Sequence, residues 1–171
     1  PSAKRAFELK ELERFHEARL EWRFVQQQLN DQERLASAVI AGQWGWHDQA
    51  IFTFTNTGYL NDVNRRFPMA YADILTKAAL RNQIEPEWAF AIARRESSFM
   101  SDAVSSARAF GLMQVLPSTA RYLEKRRVSD RALMNPNTNA KLGNKYLRYL
   151  MDKADNNMLL ATASYNAGWS R

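Results

Sequence analysis

Across residues 4–29 the apolar positions Phe7, Leu12, Phe15, Trp22, Val25 and Leu29 recur mostly at three- to five-residue steps among charges, which predicts one long amphipathic helix. Asn30 and Asp31 offer a cap to a second helix near residues 32–41, and Gly42 reads as its stop. A third helical segment near residues 47–55 ends ahead of Thr57 and Gly58. Short helices in succession suggest the tail of a stacked helical array, although no repeat is exact. Asn61, Asp62, Asn64 and Pro68 then gather, and a boundary is placed there, dividing the chain into segments 1–66 and 67–171. Beyond it the pattern predicts helices near residues 69–81, 86–99, 117–127, 136–154 and 157–165, several opening on a proline at the first helical position. The one long connection, residues 101–116, follows directly on the second of these, and loops of that length are usually functional.

Composition narrows the class. Hydrophobic residues make up 46% and charged residues 25% of 171, with six Gly and five Pro, which excludes collagen, disorder and low complexity. Apolar runs such as residues 89–93 fall far short of the roughly 18 to 20 that a membrane span needs, so no span is expected. The absence of Cys excludes disulfides, zinc ribbons and thiol nucleophiles. His16 and His47 lie far apart without partnering ligands, so both are read as structural and no metal is expected. The chain opens on Pro1, and residues 3–24 lack a signal peptide's apolar core, so the start is read as processed. A net charge of +6 admits nucleic acid, lipid surfaces or acidic glycans as partners.

On the helix opening at Pro86, Trp88, Ile92 and Glu96 fall one turn apart, so the carboxylate shares a stripe with two large apolar side chains. Glu96 also sits in the last turn, where the negative end of the helix dipole disfavours another negative charge. Burial and dipole together predict a raised carboxyl pKa, as a general acid near neutral pH requires. A phase error of one residue would instead leave Glu96 solvated, and periodicity alone does not choose.

The surroundings of Glu96 add a second kind of information. Glu96-Ser97-Ser98-Phe99, then Gly111-Leu112-Met113-Gln114, then Ala163-Ser164-Tyr165-Asn166-Ala167-Gly168 form three blocks in register, and together they resemble the soluble lytic transglycosylases. The first is similar to that family's E-S-x-F signature, the second to its G-L-M-Q block and the third to its A-x-Y-N-A-G block. Upstream, residues 44–50 and Arg66, Phe67, Pro68 and Tyr71 resemble the segments joining the superhelical part of these enzymes to their catalytic domain. The resemblance implies an all-α protein, a helical superhelix or linker segment leading into a lysozyme-like catalytic domain, working on the wall-facing, periplasmic side.

It further implies that Glu96 is the sole catalytic acid and base for the β-1,4 bond between N-acetylmuramic acid and N-acetylglucosamine in peptidoglycan glycan strands. Glu96 first protonates the glycosidic oxygen and then deprotonates the muramyl 6-hydroxyl, leaving a 1,6-anhydro ring. A usual glycosidase needs a second carboxylate about 5 to 9.5 Å away, and the three blocks offer none; Asp102 is read as loop surface. Tyr165 is implied to set its hydroxyl against Glu96. Gln114 and Ser105 are implied sugar-binding positions. Met113 either lines the groove beneath a sugar or fills the core. Asn166 is taken as a further substrate-binding position or, with Ser97, as a hydrogen-bonding residue that fixes local structure. Trp44 and Trp46 read as packing anchors in preference to sugar-stacking platforms. No cofactor is implied, and the chain is taken as a monomer that binds no nucleic acid.

Departures from the family pattern are visible. Arg108 stands where a Gly is usual, which strains the loop if the backbone is left-handed there, narrows the cleft if it is not, or meets an anionic peptide stem. Glu85 occupies the cap position where Asp is common. The chain reaches Arg171 just beyond the third block, where relatives usually continue with more helix. Rival readings are a goose-type lysozyme-like hydrolase, a non-catalytic glycan-binding domain and a basic helical nucleic-acid binder, the last without a supporting motif.

Overall fold

The computed structural model describes residues 2–58 and 61–169, and these form helices with two isolated β-bridges and no strand. The all-α expectation holds. Two compact units divide at Pro68 and Met69.

The first unit carries α1 (Ser2–Glu11), α2 (Phe15–Gln27), α3 (Asp31–Gln43), α4 (His47–Asn56) and α5 (Val63–Arg66). The single helix expected over residues 4–29 is in fact broken. Glu13 turns left-handed at φ 57°, its N–H reaching the Lys10 carbonyl and that of Arg14 reaching Leu9, which closes α1 with a Schellman turn. No glycine marks the place, so the pattern could not reveal it. Gly42 is likewise not a stop but lies inside α3, whose Schellman turn is made by Gly45 at φ 66°. The start of α3 is as predicted, since Asn30 and Glu33 form a reciprocal capping box.

The core of this unit is aromatic rings set among alanines. Trp22 lies 5.9 Å from Trp44 and 5.4 Å from Trp46, and Phe7 lies 4.6 Å from Trp44, with Ala6, Ala18, Ala41 and Ala50 buried around them. Trp44 and Trp46 are therefore packing anchors. Burial lowers the pKa of His47, with Asp48 opposing.

The second unit carries α6 (Ala72–Arg81), α7 (Pro86–Ser97), α8 (Pro117–Glu124), α9 (Asp130–Met134), α10 (Pro136–Lys153) and α11 (Met158–Ala167). Helix α9 is missing from the sequence reading because five residues are too few to show a period. Helix α10 is the spine, touching α6, α8, α9 and α11, while α6 also packs on α7. Its inner face buries Leu142, Leu147 and Leu150 completely, together with Asn139 and Asn144.

Pro86, Pro117 and Pro136 each take the first helical position, where the missing N–H has no partner to lose. Glu85 makes no side-chain hydrogen bond as the cap of α7. Its extra methylene carries the carboxylate past the N–H groups that a shorter side chain reaches. Glu85→Asp is therefore expected to stabilise the second unit by about 1 kcal/mol, read as a shift in the urea midpoint without a change in slope.

Candidate active site

The stripe on α7 is phased as predicted: Trp88 and Ile92 are 9% and 6% exposed, and Glu96 is half-buried in the last turn. Burial raises the Glu96 carboxyl above its ordinary value, opposed by the charge of its neighbour Arg95. The Trp88 indole N–H donates to the Thr162 hydroxyl at 3.1 Å, which joins α7 to α11. The helix ends two residues short of expectation because Ser98 and Phe99 are both left-handed, at φ 52° and 65°. Phe99 is held there by burial and by an edge contact with Phe90 at 6.4 Å, and the Ser98 hydroxyl accepts from Arg94 at 3.1 Å. Backbone strain of this kind persists where the surroundings over-determine it.

Ser97 fixes the helix end, as expected, by bridging outward: its hydroxyl lies 2.8 Å from the Leu112 carbonyl and 3.2 Å from that of Ala93. The Gly111–Gln114 segment is thereby tied to the turn that carries Glu96. Its other anchor is Asn139 on α10, fully buried, which sequence reasoning missed. The Asn139 amide donates to the carbonyls of Phe110 at 2.6 Å and Leu133 at 2.7 Å, and its oxygen accepts from the Met113 N–H at 2.7 Å. Gly111 permits this approach, because at φ 74° a Cβ would stand 2.5 Å from the Asn139 amide nitrogen. A buried Asn has no periodic signature that separates it from a surface one. The nearest signal is its spacing four residues from Gly143 on one helix face.

Met113 does not line a groove. Its side chain is 0% exposed and lies on Gly143, where a Cβ would come within 2.4 Å of the sulfur. Its backbone is what faces the site: the Met113 carbonyl accepts from the Tyr165 hydroxyl at 2.7 Å. The hydroxyl expected against Glu96 thus makes its own donation to the Met113 carbonyl. The phenol is close enough to Glu96 for that charge, after burial, to push its pKa well above the ordinary tyrosine value, with Tyr146 adding to the effect. Tyr165 remains neutral with its single O–H committed to Met113, and only its lone pairs are left to accept from a protonated Glu96. Tyr146, 5.4 Å from Tyr165 between ring centres, packs behind it.

The remaining predicted positions are placed by the 101–116 loop. Gln114 is left-handed at φ 49° and its amide nitrogen donates to the carbonyls of Gly111 at 2.9 Å and Ala103 at 3.2 Å, so its first role is to pin the loop. Its carboxamide oxygen makes no hydrogen bond among the described residues and is open to a ligand N–H. Ser105 closes a turn, its hydroxyl accepting from the Ala109 N–H at 3.0 Å. Asp102 lies partly exposed in the turn that opens the loop. Arg108 is left-handed at φ 58°, which accounts for the usual glycine and costs roughly a kcal/mol. It pairs with Asp130 and lies over the Phe110 ring at 5.6 Å, so its charge is already matched within the protein. Asn166 is exposed on α11 and makes no side-chain hydrogen bond among the described residues, so it does not fix the final turn.

A single carboxyl group with raised proton affinity, beside a neutral phenol, can give up a proton and take one back. Among the described residues no group of three or more His, Asp or Glu is placed to hold a metal ion, and no helix is long and apolar enough to cross a membrane.

Comparison with known proteins identifies the family. Residues 73–171 match the model of the Transglycosylase SLT domain, and residues 1–63 that of the Soluble lytic murein transglycosylase L domain. The soluble lytic murein transglycosylase of Salmonella typhimurium (strain LT2) is 35% identical over 160 residues, which is 90% of this chain and 25% of that protein. Among solved structures, an inactive mutant of the lytic transglycosylase Slt from Pseudomonas aeruginosa superposes with a TM-score of 0.90 at 35% identity, covering 98% of this chain and 28% of that one. The complex of the 70-kDa soluble lytic transglycosylase with bulgecin A gives 0.93 at 30% identity, covering 99% and 28%. The chain thus spans about a quarter of the length of the curated relatives it matches.

Proposed function

Since the chain belongs to the Transglycosylase SLT domain family, we propose that it is the catalytic part of a lytic transglycosylase that cuts peptidoglycan glycan strands on the periplasmic side of the wall. The observation that carries this reading is Glu96, a half-buried carboxyl with raised pKa where the three blocks meet. In the first step the Glu96 carboxyl gives its proton to the oxygen linking N-acetylmuramic acid to N-acetylglucosamine, and the anomeric C–O bond breaks. In the second, the Glu96 carboxylate takes the proton of the muramyl 6-hydroxyl as that oxygen bonds to the anomeric carbon. The carboxyl is restored and no water is consumed. Tyr165 holds the protonated form by accepting from it, Gln114 offers its oxygen to an N-acetyl N–H, and Ser105 shapes the adjoining turn. Asn166 stands exposed for a polar contact with the strand.

Burial favours the protonated carboxyl, so the first step is expected to persist to higher pH than an ordinary glutamate would allow and then to fall as Glu96 ionises. Mass spectrometry of digested peptidoglycan tests the reaction itself. Products lighter by one water and lacking a reducing end are expected. Reducing-end muramic acid would instead assign a hydrolase.

A further inference from the structure

The second unit carries a groove of about 640 Å³ between α6 and α10, a volume in the range of small-molecule sites. None of Glu96, Tyr165, Gln114 or Ser105 lines it. On its α6 wall Ile74 and Ala78 stand one turn apart, and so do Lys77 and Arg81, which sets an apolar strip beside a cationic one. On its α10 wall Lys141 and Lys145 are likewise one turn apart. Asn137 and Thr138 bring the first turn of α10, with the positive end of its dipole, into the same space.

Charge in the groove is out of balance. Lys77 and Arg81 are exposed and make no ion pair among the described residues. Lys141 and Lys145 share one carboxylate, Glu124 at the end of α8, at 3.4 Å and 3.1 Å, and the Lys145 ammonium also donates to the Leu123 carbonyl at 3.0 Å. Asp73 is the single acid in the lining. Four cations thus face two carboxylates, which leaves two positive charges unmatched on concave walls that focus their field inward. A carboxylate would answer with one charge and two oxygens in a plane. A terminal phosphate brings about −1.5 to −2 at pH 7 and three acceptor oxygens that point in different directions, so it can meet both walls at once.

We propose that the α6–α10 groove is a binding site for a phosphomonoester, with the terminal phosphate held between the cations of the two walls and the organic body laid on Ile74 and Ala78. Arg81 offers a planar fork to two phosphate oxygens and Lys77 a point charge to the third. Lys141 and Lys145, already steadied by Glu124, form the fixed positive wall behind them. The ester can be a soluble phosphorylated sugar or the headgroup of a lipid, since both present the same phosphate. Binding there requires no glycan strand and no bond cleavage, so it stands apart from the proposed function.

Calorimetry with the full chain tests this with glucose 1-phosphate, glucuronate and glucose. The sugar phosphate is expected to bind at least about tenfold more tightly than the carboxylate sugar, and plain glucose to give no heat. Its affinity should climb between about pH 5 and 7, as the phosphate loses its second proton near pH 6, because the lining holds no histidine to titrate there. Lys77→Gln/Arg81→Gln should weaken binding of the sugar phosphate at least about tenfold and flatten its salt dependence. Asp73→Asn, which deletes the only acid of the lining, should tighten it several-fold. All three positions are exposed, so these variants should keep the parent's melting temperature; should the double variant melt early, the Asp73→Asn result decides alone. Equal affinity for sugar phosphate and glucuronate overturns the proposal, as does an affinity that none of these substitutions changes. Retention on phosphatidylcholine vesicles only when they contain phosphatidic acid, with release by glucose 1-phosphate, assigns the site to a lipid headgroup. Binding of the sugar phosphate without such retention assigns it to a soluble ester.

Discussion

Glu96→Gln is expected to lower the rate at which the protein clears peptidoglycan suspensions by at least about a hundredfold, the lower end of what a positioned general acid contributes. Gln matches Glu in size and still hydrogen bonds, but it carries no proton to give to a leaving oxygen. The variant should fold normally, and its stability should separate it from the parent in a defined direction. The folded-state pKa of Glu96 lies above its unfolded value because burial disfavours the charge. Ionisation therefore destabilises the native parent, from the ordinary glutamate range upward to the raised value, beyond which the difference is constant. Below that range both proteins are neutral at this position and should melt alike; at neutral pH the variant should be the more stable. Retention of parental clearance would remove Glu96 from the chemistry, and a stability difference of opposite sign would remove its burial.

Asn139→Ala is expected to have the largest effect on stability. It would leave the Met113 N–H and the Leu133 carbonyl buried with no partner and the Phe110 carbonyl with the Val115 N–H alone, and each unpaired group costs about 1–3 kcal/mol. A loss of about 3 kcal/mol or more in chemical denaturation follows. Activity should fall with it, because Met113, whose carbonyl receives the Tyr165 hydroxyl, is held through its N–H by Asn139. Asn139→Asp should not rescue, since a carboxylate accepts from Met113 but donates to neither carbonyl. Asn166→Ala supplies the contrast: the side chain is exposed and bonded to nothing among the described residues, so stability should stay within about 0.5 kcal/mol of the parent. An Asn139→Ala protein that unfolds at the parental urea concentration would show that the loop does not hang from α10.

The parts of the fold legible in the chain are those governed by nearest neighbours. Pro86, Pro117 and Pro136 announce helix starts because proline's missing N–H matters least there, and the Asn30 and Glu33 pair announces another because the cap is three residues long. Helix ends are harder. Glu13, Ser98 and Lys125 all turn left-handed without glycine, and the pattern carries a helix past each of them. In two of these places the conformation is held by something the pattern does not carry: the Schellman bonds at Glu13, and the burial of Phe99 after Ser98.

By itself the sequence determined an all-α chain, the inward phase of Glu96 and the three blocks that announce the family, because each depends on residue identity and short-range spacing. Tertiary packing alone decided that Met113 is buried on Gly143, that the Tyr165 hydroxyl donates a hydrogen bond to a backbone carbonyl, that Asn139 carries the loop, and that Arg108 pairs with Asp130. The physical reason is the range of the interactions. A hydrogen-bond donor satisfies whichever acceptor the folded chain brings within about 3 Å, and residues 52 apart, as Tyr165 and Met113 are, meet only once the helices between them have packed.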